Sequence, residues 1–177
     1  VGYNPALSGL NLNFNRVHFQ WRRQGKDYDV TMQARAVRHR PDVAIARMAI
    51  EDRAKPVYTY TSADGVDRWA VAKRFLGNEG ARWLPVKRPV DYAAEVFVTL
   101  AKAKGLDLRR EADVTGVEGT PLVTHSSAAL SDMLRAMLKY STNLTAEAVG
   151  MAASQASGRA PHNLISSARE MNLWFTR

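Results

Sequence analysis

The chain contains no cysteine. Disulfides, thiolate nucleophiles and cysteine-based zinc sites are thereby excluded, although this lack names no compartment. No run of about 18 apolar residues occurs, so no transmembrane segment is read. The four histidines, His18, His39, His125 and His162, stand far apart without a His-Glu-x-x-His or comparable spacing, and no metal is expected. Neither Gly-x-x-x-x-Gly-Lys nor Gly-x-Gly-x-x-Gly is present, so no phosphate-cradling loop is written and no cofactor is expected. Internal repeats and low-complexity tracts are also missing.

What is there belongs to a globular protein. The 177 residues, 46% of them apolar, suffice for one ordinary domain or two small ones. The net charge is +8, from 25 basic and 17 acidic residues. A basic chain suits nucleic acid or an anionic cell-wall polymer. The cations, however, sit in short scattered clusters at Arg22-Arg23, Arg35 to Arg40, Lys87-Arg88 and Arg109-Arg110. No Lys/Arg stripe follows a helix face and no aromatic nucleic-acid signature appears. Most of these charges read as solvated surface, and no nucleic-acid partner is expected.

The first half reads as β. Leu10, Leu12 and Phe14 alternate with Asn11 and Asn13, which predicts a half-buried strand. Beyond Asn15-Arg16 the phase flips to Val17, Phe19 and Trp21, so a bulge or sharp bend is expected there. Gln24-Gly25-Lys26-Asp27 is a turn, and Tyr28, Val30, Met32, Ala34 and Ala36 form the hairpin partner. Val43 to Ile50 favours a strand, with a helical centre as the alternative. Val57 to Thr61 and Val66 to Ala72 flank Asp64-Gly65, a hairpin signal. Phe75-Leu76-Gly77 and Trp83 to Val86 read as short strands joined by Asn78-Glu79-Gly80. The Tyr and Trp residues here are read as core and cross-strand packing rather than as sugar- or base-stacking platforms.

The texture turns helical at Pro89. Asp91 is positioned to cap a helix carrying Tyr92, Ala93, Val96, Phe97, Leu100 and Ala101, with Gly105 as its stop. Leu106 to Val117 predicts a short β stretch, with turns near Gly116, Gly119 and Pro121. Leu130, Met133, Leu134, Met137 and Leu138 then recur at three- and four-residue spacing, one apolar face of a helix. Ser141-Thr142-Asn143 interrupts it, and Leu144, Ala148, Val149 and Met151 resume. The pattern is helix, polar elbow, helix. Read alone, Ser141-Thr142-Asn143 is a helix cap. Ser157 to Pro161 is a loop, and Ser167 with Glu170 reads as a capping box before Met171, Trp174 and Phe175. The fold class is α+β.

The block Met137-Leu138-Lys139-Tyr140-Ser141-Thr142-Asn143-Leu144-Thr145-Ala146-Glu147 resembles the Ser-x-Asn box of penicillin-binding proteins and serine β-lactamases. Within that superfamily it is similar to the D-alanyl-D-alanine carboxypeptidase/endopeptidase family of the penicillin-binding protein 4 type. That family typically writes Leu-Lys-x-Ser-Asp-Asn-x-x-Ala-Glu, so Thr142 departs at the middle position. Ser8-Gly9-Leu10-Asn11-Leu12-Asn13 resembles the Ser-x-Leu-x-Leu-Asn strand of the region this family inserts between its first two catalytic motifs. The stretch from Thr124 to Leu130 resembles the approach to its motif-two helix.

The resemblance implies a β-lactamase/transpeptidase-like core interrupted by a β-rich inserted accessory region. Residues 1–105 would be that region, ending in a helix, and residues 106–177 a partial transpeptidase-like domain. It implies a serine enzyme that cuts peptidoglycan stem peptides through an acyl-enzyme. Ser141 and Asn143 would be the catalytic residues of this chain. The Ser141 hydroxyl would relay a proton, and the Asn143 amide would also bind substrate. Lys139 and Tyr140 adjoin the box and are candidate substrate contacts, Lys139 being equally a last-turn cation. His125 beside Ser126 suggests a Ser-His pair, but reads better as a surface or helix-start histidine. Peptidoglycan stem peptides and β-lactams are the implied partners, and the periplasm the implied location.

Two boxes of this family are not written. No serine is followed three residues later by lysine, and Lys-Thr-Gly does not occur. Together with Val1 and the ending at Arg177, this gives the expectation of a central fragment, inactive alone. The alternative is a non-catalytic module that binds cell wall or nucleic acid through its basic surface.

Overall fold

A computed structural model of the chain describes residues 6–108, 119–159 and 163–176. It is α+β, with two small sheets and four helices among the described residues. The chain divides into two compact units, Val1–Arg110 and Glu111–Arg177. The charge divides with them. The first unit has 20 basic and 11 acidic residues, the second 5 and 6.

In the first unit, β1 (Arg16–Gln24) lies between β2 (Asp27–Gln33) and β6 (Glu79–Pro85), antiparallel to both. The β1–β2 turn is the expected one, with Gly25 at φ +62°. In the second sheet, β5 (Val66–Ala72) lies between β3 (Ala46–Glu51) and β4 (Tyr58–Ala63). The β4–β5 hairpin closes on Asp64 and Gly65, both at positive φ as a two-residue primed turn requires. β3 runs parallel to β5, the one parallel pairing among otherwise antiparallel strands described here. The alternating apolar residues of β1 and β2 meet those of β5 and of helix α1 (Pro89–Lys102). Val17, Phe19, Met32, Trp69, Val71, Tyr92 and Val96 form one core.

Several local expectations are corrected. Residues 10–14 form no strand. Asn13, Phe14 and Asn15 all have φ near +50° and make a left-handed turn at the predicted phase flip. The reason is Asn15, which is fully buried. Its amide donates to the Ala6 carbonyl at 2.7 Å and to Asn11 Oδ1 at 2.6 Å, and its Oδ1 accepts from the Leu12 N–H at 3.2 Å. These bonds favour the turn over a ladder. Phe75 to Gly77 is likewise no strand: Lys73–Phe75 is a 3-10 turn, and Glu79 and Gly80 already belong to β6. Asp91 does not cap α1. Pro89 starts the helix, where its missing N–H is not needed, and Asp91 instead accepts from Arg88 Nε at 2.6 Å. The stop at Gly105 is as expected. Its φ is +82°, and the Leu106 and Gly105 N–H groups return to the Ala101 and Lys102 carbonyls at 3.0 and 2.9 Å. The β stretch expected around Val114 and Val117 lies outside the described residues.

α1 is tied to the β structure by two polar links. The Tyr92 hydroxyl donates to the Arg16 carbonyl at 3.1 Å, and the Glu95 carboxylate accepts from the Ala44 and Ile45 N–H groups. Burial pushes the Tyr92 phenol up to about 12. His18 is driven the other way, below its usual 6.5, by burial and then by the Arg35 and Arg40 charges. Both groups therefore stay neutral in the folded state across the middle of the pH range. Below pH 6.5 the unfolded chain takes up a proton that folded His18 resists, and stability falls. Above pH 10 the unfolded chain releases a proton that folded Tyr92 keeps, and stability falls again, by roughly 2–3 kcal/mol once both states are titrated. Denaturant midpoints measured across pH should form a plateau between these limits, with His18→Gln flattening only the acid side.

Candidate active site

The second unit is built from α2 (Leu130–Tyr140), α3 (Asn143–Ala156) and α4 (Leu164–Phe175). α3 and α4 pack through small residues. A side chain at Gly150 would meet Met171 Cε at 3.2 Å, and the buried Ser154 and Ser167 hydroxyls lie 2.8 Å apart. This corrects the expected capping box. α4 starts four residues earlier, on Asn163 with Ser166, while Ser167 serves the helix contact and Glu170 pairs with Arg159 at 3.1 Å.

The helix–elbow–helix pattern is present. α2 ends at Tyr140, and Ser141 turns the chain with φ 51° and ψ 48°, the left-handed region. Thr142 is extended, and Asn143 opens α3. The turn is held by the backbone: the Ser141 and Thr142 N–H groups both return to the Met137 carbonyl, the latter at 3.2 Å. No side chain caps α3. Ser141 and Asn143 are both exposed, and neither side chain has a hydrogen-bond partner among the described residues. The cap reading of the triplet therefore has no side-chain bond behind it, and Thr142, rather than Ser141 or Asn143, occupies the cap position.

Lys139 and Tyr140 form a pair of their own, the ammonium 5.3 Å from the ring centroid, both side chains exposed. Lys139 is also the cation of the last turn of α2. His125 is exposed on the segment before α2. The apolar stripe of α2 has no buried member: Met133, Leu134 and Met137 are half-buried, Leu130 and Leu138 exposed. Among the described residues no group of three or more His, Asp or Glu could hold a metal, and no helix is long and apolar enough to cross a membrane. A separate open depression of about 330 Å³ in the first unit is lined by Tyr28, Met48, Ile50, Asp27, Asp52 and Lys73, and includes none of the elbow residues.

The family described as D-Ala-D-Ala carboxypeptidase 3 (S13) matches residues 1–168. The chain belongs to that family. No curated protein matched. Membership carries a D-Ala-D-Ala carboxypeptidase type of function, that of a serine peptidase and hydrolase of cell-wall material. The match runs through both units, so the β-rich first unit is part of the S13 pattern and not a foreign neighbour.

Proposed function

We propose that this chain supplies the Ser-x-Asn element of a periplasmic serine D-Ala-D-Ala carboxypeptidase/endopeptidase acting on peptidoglycan stem peptides. The observation that carries the reading is the elbow: Ser141 and Asn143 are exposed between two helices, and no capping bond occupies their side chains. In this reading the first unit is the β-rich accessory region and the second contributes to a transpeptidase-like core.

The chemistry follows from what each group can do. A serine hydroxyl both donates and accepts, so Ser141 can pass a proton between a neighbouring lysine and the departing D-alanine amine. A side-chain amide offers a carbonyl and two N–H donors, so Asn143 can hold the substrate's backbone amide while steadying that lysine. The nucleophilic serine and its lysine base, which attack the carbonyl between the two D-alanines, are not written in this sequence. β-Lactams would be captured by the same acylation.

Two measurements test this. The 177-residue chain incubated with a reactive β-lactam should show no acyl adduct by intact mass. A stoichiometric adduct would place the nucleophile in this chain and overturn the assignment. In a protein that joins this segment to Ser-x-x-Lys and Lys-Thr-Gly boxes, Asn143→Ala should weaken both capture and turnover of a D-Ala-D-Ala peptide. Unchanged D-alanine release would remove Asn143 from the site.

A further inference from the structure

The outer face of the β2–β1–β6 sheet gathers features that the fold alone does not explain. Residues directly opposed in a ladder point to the same side of a sheet. The register therefore sets Arg16, His18 and Gln20 of β1 on one face with Trp83 of β6 and Gln33 and Thr31 of β2, while the buried Val17 and Phe19 face the core. Trp83 is 36% exposed, and Phe14, in the turn before β1, is 49% exposed. The Arg16 guanidinium lies near both rings, 5.6 Å from Phe14 and 6.0 Å from Trp83, and His18 stands edge-on to Trp83 at 5.0 Å. Beside them Arg35 Nη2 donates to Gln20 Oε1 at 2.5 Å and to Gln33 Oε1 at 3.3 Å.

Three of these features are costly. Phe14 has φ 55°, a left-handed conformation worth about 1–2 kcal/mol against a bulky residue, yet its half-exposed ring gains little from the core. His18 is only 8% exposed, and its Nδ1 has no hydrogen-bond partner among the described residues. The Arg35 Nε is also buried and unpartnered. A presented aromatic pair and a cation near both rings thus share one face with polar side chains, beside buried polar atoms that the fold leaves unpaired.

We propose that this face binds a polysaccharide strand, with Phe14 and Trp83 under the apolar C–H faces of the sugar rings and Arg16, Gln20, Gln33 and Arg35 meeting the hydroxyls. Hydroxyls donate and accept, which suits side-chain amides and guanidinium donors around an aromatic platform. A nucleic acid fits less well. Asp29 and Glu79 share this face through their pairing with Arg22, and Asp42 joins it by accepting from Gln33 Nε2 at 2.9 Å, so three carboxylates would oppose the phosphates. The choice of cell-wall glycan as the strand rests on the proposed function; the site itself does not.

The test is co-sedimentation of the 177-residue chain with insoluble cell-wall glycan stripped of its peptides, and with chitin, at low salt and at about 0.5 M salt. A single-stranded DNA oligonucleotide is titrated in parallel by anisotropy. The chain should be retained on the glycan at both salt concentrations. Phe14→Gly, which removes the ring and relieves the left-handed turn, and Trp83→Ala should each weaken retention about tenfold or more. Arg68→Gln, on the other sheet, should bind as the parent does. Retention on chitin alone would support the site and detach it from the cell-wall reading. No retention on either polysaccharide, parent-level retention by both ring variants, or retention abolished by salt alongside tighter DNA binding would each overturn the proposal.

Discussion

Replacing Ser141 by glycine should slow β-lactam acylation by about 10²–10⁴-fold in a protein that carries this segment with its nucleophile, while leaving Tm unchanged or higher. The dissociation of the two effects comes from the backbone. Ser141 turns left-handed at φ 51°, a conformation that strains an L-residue and suits glycine. Its hydroxyl caps nothing among the described residues, so removing it forfeits no helix bond. Ser141→Ala deletes the same oxygen but keeps the strain, and should acylate as slowly without any gain in Tm. Stopped-flow acylation beside thermal unfolding separates the possibilities. If Ser141→Gly acylates at the parent rate, the hydroxyl relays no proton. If it loses activity only as it unfolds, the elbow is a structural turn and nothing more.

The largest stability loss is expected at Asp67. This carboxylate is fully buried on β5, with Oδ1 accepting from the Tyr60 hydroxyl at 2.7 Å and Oδ2 from the Lys87 N–H at 2.8 Å. It thus ties β4 and the segment leading into α1 to one strand. Burial and then this bond hold the Tyr60 phenol above its usual range, so it remains a donor. Asp67→Ala leaves a hydroxyl and a backbone N–H without their acceptor, which should cost about 2–5 kcal/mol. Asp67→Asn keeps one acceptor oxygen and sets an amide donor against a donor, so it should fall between. Urea unfolding followed by Trp fluorescence measures this. A loss below about 1 kcal/mol for Asp67→Ala would mean that water replaces the carboxylate and that the site is more open than it stands.

What could be read from the sequence was local. The Asp64-Gly65 turn, the Gly105 stop and the helix–elbow–helix around Ser141 are each decided by a few adjacent residues, and each stands where the pattern put it. The failures arose where a distant partner decides. Leu10 to Phe14 alternates like a strand, but Asn15 bonds back to Ala6 and Asn11 and winds the chain into a turn. Those closely spaced asparagines were the available signal. Reading the Tyr and Trp residues of the middle strands as packing fits Trp69, which is buried, and Trp83, which stands edge-on to His18 across the β1–β6 pairing. Trp83 meets His18 only because β6 pairs with β1 across a separation of 65 positions in the sequence, and no local period encodes that register. The family was legible for a different reason: the neighbours of Ser141-Thr142-Asn143 write a longer motif, and three small polar residues alone would have read as a cap.

The order of the strands sets a timetable for synthesis. β1 pairs on one side with β2, its immediate successor, but on the other with β6, and the whole β3–β5–β4 sheet is encoded between them. At typical ribosomal speeds the roughly 55 residues from the end of β1 to the start of β6 take about 3–11 s to emerge. During that interval a nascent hairpin carrying Phe19, Trp21, Val30 and Met32 presents one unpaired edge and one uncovered apolar side. A holdase waiting at the exit tunnel would find its best target there, and synonymous codons that slow translation between Asp27 and Gly80 should lower the soluble yield more than the same slowing placed after Lys102.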